Sequence, residues 1–245
     1  MAQTWFYRHD DIQTGRPYGL DVDEDDWLWE GGTPDCLMGH HLRTATSAQI
    51  SIPELGGRPI YQVFAWQKKL LFTLGQAPFY VVYDPRTRTA VRHEVPAASA
   101  IVWYGTKTPG GKLVLFERSE SKALILDAPD ARPRIVDCPF PGQLAAGFTA
   151  EDGYLYCLLS DPARLIRFDL DSERFVHENP APFEQATLSG SSGHVHDGVL
   201  YLWDTAKGRF LPVELDSGRW LDPIPTPDHG TSYGFIGGGF GFQGK

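Results

Sequence analysis

The chain is 245 residues long, 42% hydrophobic and 22% charged, which supports a packed core and excludes global disorder. A formal charge of −9 excludes a nucleic-acid binder, because replacing counterions on phosphates needs a basic face. No apolar run approaches the roughly eighteen residues of a membrane-spanning helix, so no membrane partner is expected.

The first ten residues carry Arg8, His9 and Asp10 and lack the apolar stretch of a signal peptide, so a cytoplasmic protein is expected. Cys36, Cys138 and Cys157 have no metal-type spacing, and their odd number argues against a disulfide framework. Few lysines beside many arginines, and a single asparagine, Asn179, suit a GC-rich bacterial genome.

In chain order, Trp5-Phe6-Tyr7-Arg8-His9-Asp10 reads as a strand and residues 12–17 as a short second one. Gly19-Leu20 opens another, which turns at Asp23-Glu24-Asp25-Asp26 into Trp27-Leu28-Trp29. Asp and Gly in such a link supply the backbone angles of a hairpin turn. The pattern returns at Leu70-Leu71-Phe72, followed by a strand at Tyr80-Val81-Val82-Tyr83-Asp84 and one from Ala90 to Pro96. It returns again at Leu113-Val114-Leu115, then at Gly147-Phe148, the turn Glu151-Asp152-Gly153 and Tyr154-Leu155-Tyr156. Strands over 165–170 and 174–178 follow, then Gly193-His194, the turn His196-Asp197-Gly198 and Leu200-Tyr201-Leu202. The last repeat has Gly234-Phe235 and Phe240-Gly241-Phe242.

The six apolar runs start at Trp27, Leu70, Leu113, Tyr154, Leu200 and Phe240, with spacings of 43, 43, 41, 46 and 40 positions. That is the length of one four-stranded propeller blade, and no helical periodicity competes with it. The expected fold is therefore all-β: a six-bladed β-propeller of four-stranded antiparallel blades forming a single domain over residues 1–245. Residues 1–17 would complete the blade begun by residues 229–245, removing exposed sheet edges. The alternative is five blades with the glycine-rich tail as an appendage.

The stretch Arg16-Pro17-Tyr18-Gly19-Leu20-Asp21-Val22-Asp23-Glu24-Asp25-Asp26-Trp27-Leu28-Trp29-Glu30 resembles the blade signature of gluconolactonase/regucalcin and virginiamycin B lyase-like propellers. The gluconolactonase resemblance implies a divalent metal held by a Glu, an Asp and two Asn side chains. With Asn179 as the only asparagine, that set has no match here. The lyase resemblance implies a histidine base with magnesium among acidic neighbours.

In this fold the fourth-to-first and second-to-third strand loops line one mouth of the channel. The former bring Tyr18, Arg58, Ser99, Gln143, Gln185 and His229. The latter bring residues 30–35, Gln76, residues 117–120, Asp161 and residues 204–207. His194 and His196 share a face of an innermost strand, with His194 in a slot that Leu20, Phe148 and Phe235 fill elsewhere. Either it is a general base or metal ligand, or it is a hydrogen-bonded wedge between blades. His229, beside Asp228, offers acid–base chemistry at the mouth or is a plain loop histidine. Glu30, Glu117 and Asp204 end three second strands and form either an acidic ring or separate solvated carboxylates. Tyr18, Tyr61, Trp103, Tyr104, Phe148 and Tyr233 form an aromatic collar for a ligand, or packing between blades.

The residues selected as catalytic are His194, His196 and His229, and as substrate-binding Tyr18, Arg58, Tyr61, Trp103, Phe148, Tyr233 and Glu117. No metal ligand or cofactor is assigned; a divalent cation such as magnesium enters only through the resemblance. Phosphate-cradling loops, a nucleophile elbow and zinc spacings are lacking. The expected function is a small-molecule enzyme doing acid–base chemistry in the channel, as a lyase, isomerase or cyclase of specialised metabolism. The alternative is a non-catalytic propeller that binds a protein or carbohydrate on one face.

Overall fold

The computed structural model describes residues 19–31, 35–75, 77–95, 102–117, 121–149, 154–160, 164–182, 188–204 and 207–225, with backbone alone at 102–104, 143, 145–149, 158, 160 and 188–194. The expected closure by residues 1–17 and 229–245 lies outside the described residues. Two compact units divide the chain, residues 1–96 and residues 97–245.

The first unit holds two antiparallel sheets, each with its strands in chain order. One comprises β1 (Leu20–Val22), β2 (Trp27–Gly31), β3 (Cys36–His41) and β4 (Ser47–Ser51). The other comprises β5 (Ile60–Trp66), β6 (Lys69–Leu74), β7 (Phe79–Asp84) and β8 (Thr89–Glu94). The second unit holds three more. They are β9 (Val102–Lys107), β10 (Leu113–Glu117), β11 (Lys122–Leu126) and β12 (Arg134–Asp137); then β13 (Gln143–Thr149), β14 (Tyr154–Ser160), β15 (Arg164–Asp169) and β16 (Arg174–Pro180); and finally β17 (Leu188–His196), β18 (Val199–Asp204) and β19 (Arg209–Glu214) with two short pieces. Those pieces, β20 (Arg219–Trp220) and β21 (Ile224–Pro225), pair successive halves of β19 and share the fourth position. Pro223 between them has no N–H to continue a ladder. Among the described residues no α-helix occurs. The architecture is the all-β, four-stranded-blade arrangement read from the repeat.

The first five apolar runs are the second strands β2, β6, β10, β14 and β18. Flanked in its own sheet and covered on both faces, such a strand reads as continuous hydrophobics. Fourth strands are exposed at alternate positions, as in β4. Turn chemistry fixes the hairpins. Asp23 Oδ1 accepts from the N–H groups of Asp25 (3.0 Å) and Trp27 (2.9 Å), while Oδ2 accepts from Trp29 Nε1 at 2.7 Å. Asp197 and Gly198, with φ of 47° and 73°, supply the paired left-handed residues a two-residue hairpin needs. Gln67 and Lys68 take the same geometry (φ 49° and 64°) without a glycine or asparagine to announce it.

Successive sheets pack face to face within each unit. In the first, Trp29 and Leu37 meet Leu70, Phe72, Leu74 and Val81. Gly39 leaves room for Trp29: a Cβ there would lie 2.5 Å from its ring. In the second, Val114 and Phe116 meet Leu155, Cys157 and Phe168, and Tyr156 meets Leu200 and Leu202. This packing sets first strands side by side, β1 against β5 in one unit and β9 against β13 against β17 in the other.

An ionic cluster ties the third sheet to the fourth. Glu173 accepts from Lys112 Nζ and Arg134 Nη2, both at 2.6 Å, and Arg134 also pairs with Asp127. The Arg134 hydrogen bond, aided by Lys112, pulls the Glu173 carboxyl from its ordinary 4.5 to about 2, against the opposing effect of burial. Because the folded value is the lower one, this stabilisation is complete above the ordinary value and is lost as pH falls through the folded one. Between pH 4.5 and 2, wild-type Tm should therefore fall more steeply than that of Glu173→Gln. Parallel pH profiles of Tm for the two proteins would contradict the assignment.

Candidate functional site

Each first strand enters from the loop following the preceding fourth strand and leaves through a tight hairpin. The loop end of each sheet thus gathers the start of strand one, the end of strand two and the start of strand three. At that end the inner ladders break at a common level. Ile60 pairs Leu74 and Gln62 pairs Thr73, leaving Tyr61 as an extra residue in β5. Val102 pairs Glu117 and Tyr104 pairs Phe116, so Trp103 is the extra residue in β9. Ala145 takes the same place in β13, between Leu144–Leu159 and Ala146–Leu158. In β17 the break is wider: Leu188 pairs Asp204 and Gly193 pairs Leu202, so residues 189–192 span what one residue spans opposite. A bulge interrupts pairing and re-aims its side chain, and such features gather at sheet rims and beside active sites.

Tyr61 is half-buried, and its ring lies over Gly75, where a Cβ would stand 2.1 Å from ring carbon Cε2. Arg58, on the loop entering β5, directs Nη1 to the Gly75 carbonyl at 3.4 Å, with its guanidinium 6.0 Å from the Phe79 ring. Two of the first unit's three substrate-binding candidates, Arg58 and Tyr61, thus meet around Gly75.

In the second unit, Glu117 and Asp204 are fully buried, and each lies opposite the first residue of its third strand, Lys122 and Arg209 respectively. Arg209 Nε donates to Asp204 Oδ2 at 3.0 Å, with 20% of the arginine side chain exposed. The corresponding position of the fourth sheet is Leu159, also fully buried. Blade architecture accepts leucine at this level, so the two acids answer to something other than packing.

Of the two readings of the three acids, that of separate solvated carboxylates is corrected, and their registers within their own sheets differ. Glu30 pairs Met38, the third residue of β3, and so sits two residues deeper than Glu117 and Asp204. It is buried and directed to His40 Nε2 at 3.3 Å. None of the three acids is a solvated surface carboxylate. Among the described residues no group of three or more His, Cys, Asp or Glu side chains is placed to hold a metal ion. The donor set that a magnesium site would need is not assembled there, and no step below runs through a metal.

His194 pairs Tyr201, the register Phe148 takes opposite Tyr156, so the shared slot of His194 and Phe148 stands. Its counterpart in the first sheet is Asp21, opposite Trp29, rather than Leu20, which pairs Glu30. Asp21 Oδ2 accepts from the Ala65 N–H of the next inner strand at 2.9 Å. Phe148 and His194 thus lie three and two residues along their strands from the bulges at Ala145 and residues 189–192. His196 is the last residue of β17, at the hairpin end, 68% exposed and 3.4 Å from Asp197. Tyr18, His229 and Tyr233 lie outside the described residues. Sequence reasoning missed the bulges and the Asp204–Arg209 pair. An acid and a base five residues apart across the second-to-third turn, in Asp204/Arg209 and Glu117/Lys122, was the available signal.

No family model matches the sequence, and no curated protein matches it. Among solved structures, virginiamycin B lyase from Staphylococcus aureus superposes with a TM-score of 0.75 at 13% identity, over 89% of this chain and 72% of that one. A catalytically inactive histidine-to-alanine variant of the same enzyme with quinupristin gives 0.73 at 14%, with the same coverage. A chain of the mitotic checkpoint complex gives 0.66 at 12%, over 91% of this chain and 72% of that one.

The Asp204–Arg209 pair makes a sharp stability prediction. Asp204→Leu alone should lower stability measurably, because it removes the fully buried carboxylate to which Arg209 Nε donates. Adding Arg209→Leu should recover most of that loss in chemical denaturation, as the leucine at 159 implies. A single variant as stable as wild type would contradict the pairing. At this level of identity the superpositions establish one thing, that this chain has the β-propeller fold of the virginiamycin B lyase structures.

Proposed function

We propose that the protein is a small-molecule enzyme of lyase type, working by acid–base chemistry in the channel of its propeller. The inner-strand bulges support this reading: each interrupts its own ladder at the equivalent rung, at Tyr61 in the first unit and at Trp103, Ala145 and, over several residues, β17 in the second. A ladder rung lost at the equivalent place in several strands bends the backbone there, and such bulges gather beside active sites.

At the same height Asp204 holds Arg209 in a fixed orientation. A guanidinium so held stabilises negative charge developing on a carbonyl oxygen. A histidine removes the proton beside that carbonyl, and the electron pair forms a carbon–carbon double bond as the bond to the leaving group breaks. The imidazolium then returns its proton to the leaving group, and no water is consumed. His194 and His229 are the histidines proposed for this role, with His196, exposed at the hairpin end, a weaker candidate. A histidine requirement also fits the fold-mate whose histidine-to-alanine variant is described as catalytically inactive. The non-catalytic alternative has a fold precedent in the mitotic checkpoint complex. A protein or carbohydrate binder of that kind would present an exposed aromatic patch, whereas the large exposed apolar residues among those described are aliphatic, Val91, Val176 and Leu42 among them.

Virginiamycin B and quinupristin are the first substrates to test, with products followed by liquid chromatography and mass spectrometry. Elimination should give product masses that sum to the substrate mass, whereas hydrolysis adds one water. His194→Gln or His229→Gln should slow turnover on the order of 10²–10⁴-fold with Tm unchanged. No conversion by the wild type, or full activity in both variants, would overturn the reading.

A further inference from the structure

A second chemically organised cluster lies in the first sheet, apart from the bulge row. The Ser47 hydroxyl is 2.9 Å from His40 Nδ1, and His40 Nε2 is 3.3 Å from Glu30 Oε1. The three residues come from β4, β3 and β2, and their registers put them on one sheet face. His40 pairs Ser47 and Leu28, while Glu30 pairs Met38 two residues along. Burial is graded along the line. Glu30 and His40 are both 7% exposed, whereas Ser47 is exposed at the start of the outermost strand.

That order, with a carboxylate inside, an imidazole in the middle and a hydroxyl at the surface, is what an activated serine requires. The ring donates from Nε2 to Glu30 and accepts the Ser47 hydroxyl proton at Nδ1. The two ring nitrogens exchange the roles they hold in the best-known serine enzymes, and either one can act as the base. A buried histidine needs both partners to satisfy its nitrogens. An exposed serine has water available, so its approach to His40 is not forced by burial.

The backbone supplies one further element. His41 donates its N–H to the Thr46 carbonyl at 2.8 Å, so 41 and 46 form the hydrogen-bonded pair of the hairpin. By antiparallel alternation the next pair, His40 with Ser47, is a non-hydrogen-bonded one. The Ser47 N–H therefore points away from β3, along the open side of an edge strand. It lies next to its own hydroxyl, where an oxyanion formed on attack would sit.

We propose that Ser47 is the nucleophile of a second site, which takes acyl groups from small activated esters. Ser47 Oγ bonds to the ester carbonyl carbon as its proton passes to His40 Nδ1. The bond to the leaving alcohol breaks, and the imidazolium gives that alcohol the proton, while Glu30 stabilises the transient positive ring. Water then attacks acyl-Ser47 with His40 again as base, releasing the carboxylic acid and restoring the serine.

A fluorophosphonate probe tests this on the full chain, because its phosphorus traps an activated serine with loss of fluoride. Intact mass and peptide mapping should show a single label on Ser47, absent from Ser47→Ala, whose exposed position leaves Tm unchanged. His40→Gln should slow labelling on the order of 10²-fold or more. If that variant fails to fold, Ser47→Cys provides a second measurement, with Ser51→Cys as the reference on the same strand and face. Iodoacetamide should alkylate the thiol at 47 at least about tenfold faster at neutral pH, since a neighbouring imidazole raises the thiolate fraction. An unlabelled Ser47 in folded wild-type protein, or equal alkylation at 47 and 51, would overturn the proposal and leave the line a purely structural network.

Discussion

Phe72, Leu74 and Val81 close over Trp29 and Leu37, and Leu200 and Leu202 close over Tyr156, so within each unit neighbouring sheets cover one another's apolar faces. A single four-stranded sheet of this size has two apolar faces and no independent core. Burying a large side chain contributes about 1.5–3 kcal/mol, and the fully buried second strands gather many such contributions. This stacking brings β1 beside β5 and β9 beside β13 and β17. The first strands become neighbours as a consequence, without pairing to one another in one sheet.

The inner strands differ from the rest in regularity. Their partners β6, β10, β14 and β18 run unbroken against the third strands, while the inner ladders lose register at Tyr61, Trp103, Ala145 and residues 189–192. The same level carries the buried Asp204 with its guanidinium partner, and Glu117 opposite Lys122. Buried ion pairs are seldom a net source of stability, since desolvation offsets most of their attraction. Leu159 in the equivalent place of the fourth sheet shows what the fold accepts there. Irregular backbone and buried charge thus occur at the same rung of the inner ladders of the second unit.

Much of the fold was legible because burial on both faces leaves a plain mark: Leu70-Leu71-Phe72 and Leu113-Val114-Leu115 could hardly be anything else at that spacing. Asp23 and the Asp197-Gly198 pair announced their hairpins through side-chain acceptors and left-handed backbone. The bulges left no such mark, because the aromatic Tyr61 and Trp103 look like any strand residue and Ala145 shares their place without their chemistry. Glu30 looked equivalent to Glu117 because both follow apolar runs, but strand-to-strand register decides the level, and register is invisible in a run of hydrophobics. The Ser47–His40–Glu30 line was hidden for a related reason. Its members are ten and seven residues apart and meet only through cross-strand pairing.

Residue-resolved amide hydrogen exchange tests the broken inner ladders most directly. Residues in the bulges leave the ladder, so the amides of residues 189–192 should exchange quickly, while His194, in a hydrogen-bonded pair with Tyr201, and Leu202 of the neighbouring strand stay protected. Trp103 should likewise exchange faster than Thr106. Protection of alternate amides throughout residues 188–196 would mean a regular strand, and the broken inner ladder would have no structural basis.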